Sequence, residues 1–362
     1  MPLRPSHLLP GVLLALSCSD LPPGLPEAAS AAERALPGAV PAPAYNLAFT
    51  QSGPGWTGGD QGISVEVPEG RTLWLFGDSF IGTVAPDRSR PPGSSVMVRN
   101  AAVLQSAAGL QTLVRAGADG PEAWLRPPEP DFWYWPQDGF VHGGDLYLVC
   151  LTMRATGTGG VFGFAFVRND LVRVDLTTWA QTGRVPYPSA GYLYGAEVLE
   201  HGGYRYVYGI EERAAGKRMV VSRIPAFAQP GTVPPTYWDG AGWSADPAAA
   251  LPMLDDLSTI YSVIPAPDGD GFRLLSQEDF LSDRIHGWRA PSPEGPFTDK
   301  TLLLRTPQDG GDRFTYNAIA HPHLRRADGS VLVSWSSNSF DFTDLFEDAD
   351  AYRPWFAWVP LR

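Results

Sequence analysis

The chain has 362 residues and a formal net charge of −12, with no cluster of Lys and Arg. That balance excludes nucleic acid or an anionic membrane surface as the main partner, because a phosphate backbone needs clustered cations. With 39 Gly, 36 Pro and only 18% charged residues, the composition favours short strands joined by tight turns over helices, and the length fits one large all-β core.

The first residues, MPLRPSHLLPGVLLALSCSD, carry one arginine, an apolar run over 8–16 and then small residues. This is the layout of a secretory signal, expected over 1–18, and it is too short to span a bilayer. Cys18 follows Ala15-Leu16-Ser17, which resembles a bacterial lipoprotein signal with Ala where that pattern prefers Leu. Two outcomes stay open, a lipid anchor on Cys18 or simple cleavage nearby, and either gives an extracytoplasmic protein, secreted or held on the outer surface. Residues 19–43 are Ala/Pro-rich without strand pattern and read as a flexible tether. The folded domain is expected over 44–362. Cys150, in LYLVCL, reads as a buried thiol, so no disulfide framework is expected. No later apolar run is long enough to be a transmembrane helix.

A short apolar run, a glycine-containing turn and a second apolar run recur five times: GISVEVPEGRTLWLFGDSF, DGFVHGGDLYLVCL, AEVLEHGGYRYVYGIEE, IYSVIPAPDGDGFRLLSQED and NAIAHPHLRRADGSVLVSWSSNS. Alternations such as Ile63/Val65/Val67 and Val331/Val333 have strand period, and the EG, GG and DG pairs supply turn residues, so each reads as a β-hairpin. Further strand-like runs lie between them: NAAVLQ and LQTLVR, VFGFAFV and LVRVDL, RMVVSRI, IHGWRA and TLLLR, and WFAWVPL. A hairpin followed by two strands is a four-stranded meander, and five such units predict a five-bladed β-propeller. The last unit is one strand short, so AYNLAFTQ (44–51) is expected to close the ring as an N-terminal strand and to hide two sheet edges. A two-sheet sandwich is the rival fold and accounts less well for five equivalent hairpins.

In a propeller, the starts of first strands, the ends of second strands and the starts of third strands converge on one mouth. On this reading the mouth receives Asp60, Asp138, Glu197, Tyr316 and Asn317 from strand starts, Asp78, Arg154, Glu211, Gln277 and Asn338 from strand ends, and Asn100, Lys217, Arg284 and Arg353 from third strands. His142 and His201, in HGG turns, fall on the opposite face. Asp138 and Glu197 share a column, four residues before those histidines, and Asp60 is placed in the same column with its register uncertain by one residue. Three such carboxylates would repel, which displaces at least one pKa upward and provides the asymmetry that glycoside hydrolysis uses. Trp56, Trp133, Tyr134, Trp135, Tyr192, Tyr194 and Tyr316 precede first strands, where they either stack on sugar rings or pack between blades. Asp78, at the end of TLWLFGDSF, either points into the mouth or caps its own turn.

With the repeats and acids in view, the chain resembles the five-bladed propeller glycosidases, the group of arabinanases, xylosidases and fructosidases. WRAPSPEGPF is similar to a third-strand segment of those enzymes, while TGGDQGISV, RTLWLFGDSFIG, YNAIAHPHL and YRPWFAWV resemble secreted bacterial proteins of domain of unknown function 5005 or 4185. The resemblance implies Asp60 as base, Asp138 as the tuning carboxylate and Glu197 as acid. Where those enzymes often carry Asp-Pro this chain has Asp60-Gln61-Gly62, so Asp78 is the alternative base. The resemblance also implies His321 near an axial metal, often calcium, with no cofactor required.

The expectation is therefore a monomeric glycoside hydrolase acting on a polysaccharide or oligosaccharide, with Asn100, Trp135, Tyr194, Glu211, Gln277, Tyr316, Asn317 and Arg353 contacting the carbohydrate. A non-catalytic carbohydrate-binding surface protein is the alternative. Hydrolysis of a phosphoester or lactone with an axial metal ranks third.

Overall fold

The computed structural model describes residues 38–157, 163–214, 216–279, 281–307 and 311–361. The expected signal, Cys18 and most of the expected tether lie outside the described residues. Among the described residues no helix is long and apolar enough to cross a membrane.

Five of the six sheets among the described residues are antiparallel meanders that stand around a common axis, and the sixth is the two-stranded pair Arg115–Gly117 and Gly120–Glu122. Blade 1 comprises Gly55–Val67, Arg71–Gly82, Ala101–Ser106 and Gly109–Leu113, with Ser95–Val98 pairing beside its second strand. Blade 2 comprises Phe132–His142, Asp145–Ala155, Phe164–Asp175 and Gln181–Tyr187. Blade 3 comprises Leu193–His201, Tyr204–Arg213, Gly216–Pro225, Thr236–Trp238 and Trp243–Ser244, and blade 4 comprises Ser262–Pro265, Phe272–Gln277, Arg284–Ala290 and Thr298–Arg305. Blade 5 is Arg313–Arg325, Ser330–Ser339, Pro354–Pro360 and, as outermost strand, Val40–Pro41. All five hairpins read from the sequence form. The HGG turns work because Gly143 and Gly144 take φ of +61° and +88°, and Gly202 and Gly203 take +56° and +80°, the left-handed region that a two-residue hairpin demands.

The ring closes differently from the sequence expectation. Val40 pairs with Trp358 and Pro41 with Ala357, so the closing strand is drawn from the segment read as tether. AYNLAFTQ is not a strand: Pro43–Ala48 is a helix opened by proline. Its Tyr45 and Phe49 lie four residues apart, a helical spacing that matched strand alternation equally well over so short a run. The helix still completes the closure, because the Asn46 amide donates to the Phe356 carbonyl at 3.0 Å and accepts from the Phe356 N–H at 2.9 Å, continuing the sheet edge with a side chain. Phe49 then packs among Trp56, Trp74 and Phe76 of blade 1 and Phe356 of blade 5. VFGFAFV and LVRVDL also differ: from Phe164 they run as one strand to Asp175, and the fourth strand of blade 2 is Gln181–Tyr187.

Apolar clusters fill the seams between blades. Leu73 and Leu75 meet Leu146, Leu148 and the free thiol of Cys150 between blades 1 and 2, while Tyr208, Met219 and Val221 meet Val263, Leu274 and Trp288 between blades 3 and 4. Burial on both sheet faces explains why the second strands read as near-continuous apolar runs.

Candidate active site

The four carboxylates divide into two pairs. The first belongs to blade 1. Asp60 and Asp78 flank the paired residues Gly59 and Ser79 on neighbouring strands, placing them almost opposite one another near the mouth. Asp60 Oδ2 accepts from the Tyr316 hydroxyl at 2.8 Å, and Asn338 Nδ2 in turn donates to that hydroxyl at 3.1 Å. Oδ1 is buried without a hydrogen-bond partner and lies against Gly77, where an added Cβ would sit 2.5 Å from it. The glycine of LFGD is thus the residue that admits the Asp60 carboxyl. Burial, and next the Asp78 charge, raise Asp60 to about 7, with the hydrogen bond from Tyr316 pulling the other way.

Asp78 has a different environment. Its Oδ2 accepts from Arg99 at 3.1 Å and its Oδ1 from the Trp135 indole at 3.3 Å, and its side chain keeps 21% of its exposure. Burial raises its pKa while the Arg99 guanidinium and Trp135 oppose the shift. Of the two acids, Asp78 is the one with a cation beside it, and that cation favours its ionised form. Tyr352 donates to the Asp78 backbone carbonyl at 3.0 Å and fixes the strand end.

Aromatic residues stand on both sides of this pair. From blade 2, Trp133 carries the Arg99 guanidinium over its ring at 4.4 Å, and Trp135 meets Phe164 edge-on at 4.7 Å. From blade 5, Tyr316 packs at 5.5 Å on Phe314, which packs at 4.5 Å on Phe340.

The second pair, Asp138 and Glu197, lies deeper, each only 7% exposed. Asp138 accepts from its neighbour's Gly139 N–H at 2.8 Å and from the Val198 N–H of blade 3 at 2.6 Å. Glu197 accepts from the Val263 N–H and the Ser262 hydroxyl of blade 4, and Ser262 accepts from the Ala320 N–H of blade 5 at 3.0 Å. One column of side chains thus joins the inner strands of blades 2, 3, 4 and 5. Burial raises Asp138 to about 7, and burial followed by the Asp138 charge raises Glu197 well above the usual range, so the pair retains a proton near neutral pH. Asp60 does not share this column: counted back from the strand end, Ile63 does, and Asp60 sits three residues nearer the mouth. Asp60 thus neighbours Asp78 and Asp138 neighbours Glu197, and among the described residues no hydrogen bond links one pair to the other.

The other candidates separate by what their polar atoms already touch. Trp135 and Tyr316 are at the Asp60/Asp78 pair. Asn100 is fully buried, donating to the Leu125 and Tyr134 carbonyls at 2.9 Å each and accepting from the Leu125 N–H at 2.8 Å, so its amide is spent on backbone. Tyr194 is buried with Tyr187 and Tyr237 rather than lining the mouth. Gln277 donates to the Ser282 and Thr315 carbonyls, and Asn317 is 5% exposed with φ +56°. Glu211 is held by Arg213 and Arg218, and Arg284 by Glu278. Arg353, 4% exposed, pairs with Asp350 at 2.8 Å, donates to the Pro354 carbonyl at 3.2 Å and stacks over Trp355 at 3.6 Å. Arg99 and Tyr352 were missed. VRN and AYRPW gave no warning, because their partners are fixed by strand pairing.

His321 does not fit a calcium site. It is fully buried with Ser64 Oγ at 2.7 Å from Nδ1 and Ser334 Oγ at 2.9 Å from Nε2, and burial followed by His323 keeps it neutral. Calcium needs six to eight oxygens. Among the described residues no three His, Cys, Asp or Glu converge as a metal set. A groove of about 770 Å3 opens between the outer strands of blades 1 and 2, lined by Leu113, Arg115, Trp124, Trp179 and Arg184, and none of the four carboxylates faces it.

No curated protein matches the chain. Among solved structures it is similar to a presumed hydrolase from Bacteroides ovatus, with a TM-score of 0.76 and 21% identity over 92% of this chain and 96% of that one. It is more distantly similar to an exo-β-1,3-galactanase from Phanerochaete chrysosporium, with a TM-score of 0.48 and 9% identity over 86% and 64% of the two chains. An α-L-arabinofuranosidase from Podospora anserina gives a TM-score of 0.46 and 10% identity over 85% and 91%. These likenesses concern the five-bladed fold. The model of the domain of unknown function DUF5005 matches residues 43–360, the propeller and its closing helix apart from the strand Val40–Pro41, and the chain belongs to that family.

Proposed function

We propose that the protein is a glycoside hydrolase that works outside the cytoplasm on a polysaccharide or oligosaccharide, with Asp60 and Asp78 as its working carboxyls. The observation that carries this reading is their asymmetry: Asp60 is held at about 7, while Asp78 is paired with Arg99 and opens to the mouth between two aromatic walls. A carboxylic acid that is part protonated at neutral pH delivers a proton to the leaving glycosidic oxygen, and an ionised neighbour acts at the anomeric carbon, directly or through water. Trp135 and Tyr316, hydrogen-bonded to the two acids, orient them, and the half-buried Trp135 gives the sugar an apolar face. In this reading Asp138 and Glu197 hold blades together and act on the site through the shape of the ring.

Wild type and the Asp60→Asn, Asp78→Asn and Glu197→Gln variants are incubated with arabinans, xylans and galactans, and released sugars are measured. Wild type is expected to release sugar, with a loss on the order of a hundredfold or more in Asp60→Asn and Asp78→Asn. Full release by the Asp60→Asn variant overturns the assignment, and loss confined to Glu197→Gln transfers the chemistry to the deeper pair.

The second reading, a carbohydrate-binding protein without catalysis, is favoured by one observation: Asp138 and Glu197 spend their oxygens on backbone and hydroxyl donors of their own and the next blade, and Asp78 is tied to Arg99. Binding of a glycan without release from any of the three would select it.

A further inference from the structure

We propose that Phe314 and Phe340 form a stacking subsite for the sugar unit next to the one held at Asp60, which commits the site to extended, uncharged glycan chains. This rests on the Asp60/Asp78 reading and adds the substrate class to it.

A continuous track leads away from the reactive carboxyl. Asp60 Oδ2 meets the Tyr316 hydroxyl at 2.8 Å, Tyr316 packs on Phe314 at 5.5 Å, and Phe314 packs on Phe340 at 4.5 Å with the ring planes 37° apart. Phe314 stands two residues before Tyr316 on the first strand of blade 5, so both side chains leave the same face of that strand. Phe340 follows the second strand, and its N–H bonds the Asp312 carbonyl at 3.0 Å, which extends the ladder by one rung and fixes the backbone that carries the ring. Yet Phe340 is 54% exposed. A large apolar ring carried on paired backbone, packed through Phe314 on the buried Tyr316 and left open to water, offers a surface for an apolar face, which a pyranose or furanose ring provides through its C–H groups.

Charge narrows the ligand. Asp341 and Asp344 follow Phe340 in sequence, Asp312 lies across the strand pair from it, and the cation beside Asp312, Arg313, is paired with Asp348 at 2.9 Å. Asp341 caps the Thr343 N–H, and Asp344 accepts from Ser339, so both are fixed near the platform. A uronate or sulfated unit would meet this negative rim at close range, whereas a neutral sugar would not.

The test separates binding from cleavage by using the Asp60→Asn protein as the binding background. Xylotetraose, arabinotetraose, galactotetraose, the corresponding disaccharides and trigalacturonate are titrated calorimetrically into Asp60→Asn and into Asp60→Asn with Phe340→Ala. The expected result is that a neutral tetrasaccharide binds more tightly than its disaccharide, and that Phe340→Ala removes most of this difference, a loss of roughly tenfold. Phe340→Trp should restore it, and trigalacturonate should bind more weakly than the neutral chains. Equal affinities with and without the Phe340 ring, or preference for trigalacturonate, overturn the proposal. Self-association of the wild type that Phe340→Ala abolishes also overturns it, since the ring would then serve a second copy of the chain. Chain-length-dependent binding by wild type without cleavage would sink the hydrolase reading and keep the subsite; cleavage that Phe340→Ala leaves unchanged on tetrasaccharides would do the reverse.

Discussion

Replacing Asp138 by Asn should change how stability depends on pH. The carboxyl is raised from 3.8 to about 7 by burial, against the two backbone N–H groups that bind it. A raised carboxyl contributes stability that is fully present below its unfolded pKa and is lost as pH rises through the folded value, because the native state is the one that holds the proton. At about 1.36 kcal/mol for each unit, a shift of about three units amounts to about 4 kcal/mol above neutrality, of which roughly 2–3 kcal/mol falls between pH 5 and pH 8. Asn is close in shape to the neutral acid and cannot ionise. It also removes the charge that raises Glu197. The variant loses one of the two backbone bonds, because its NH2 cannot accept, so it should lie about 1–3 kcal/mol below wild type at pH 5 and gain on it as pH rises. For a domain of this size 1 kcal/mol moves the midpoint by about 2 °C, so the difference in melting temperature between the two proteins should change by roughly 4 °C or more from pH 5 to pH 8. Thermal unfolding at five or six pH values measures it. Parallel curves for wild type and Asp138→Asn would refute the reasoning, because they would mean that the deeper pair does not exchange its proton on unfolding.

Gly77→Ala tests the cradle of Asp60. The new Cβ would lie 2.5 Å from Oδ1, so the carboxyl must turn, and hydrolysis should fall at least tenfold while the melting temperature changes little; unchanged turnover would mean the carboxyl has no fixed position to lose. Arg99→Met removes the cation that opposes the raised pKa of Asp78, so the acidic limb of the rate profile should move to higher pH, with a limb at its original position as the contrary result. Asn46→Ala deletes two bonds at the ring closure and should destabilise by about 1–3 kcal/mol in denaturant unfolding without altering the rate profile; no loss would assign the closure to Val40–Pro41 and the Phe49 packing alone.

Much of the architecture was legible because a propeller repeats its local signals. Each blade must turn back on itself, and GG or DG pairs between alternating apolar runs encode that reversal within about twenty residues. The closing strand was harder to read. Val40–Pro41 is too short to show a period, and Tyr45 with Phe49 fits a strand or a helix until the edge of blade 5 requires the Asn46 amide at Phe356.

The acids show the same division. That Asp60, Asp78, Asp138 and Glu197 would project toward a common axis followed from their places in the hairpins. Which of them meet did not, because pairing depends on registers that bulges shift: Gly59 opposes Ser79, Gln61 opposes Phe76 and Ile63 opposes Leu75, and those irregular steps carry Asp60 to Asp78. Asn100, Gln277 and Arg353 read as ligand contacts because a polar residue at a strand end resembles any other, and only the folded chain reveals which carbonyls or carboxylates occupy them. The sequence alone determined how many blades form and which residues lead toward the mouth, since both follow from local periodicity. Tertiary structure decided which carboxyls share a proton and which rings stay open to water, since desolvation and charge pairing depend on neighbours that lie far away along the chain.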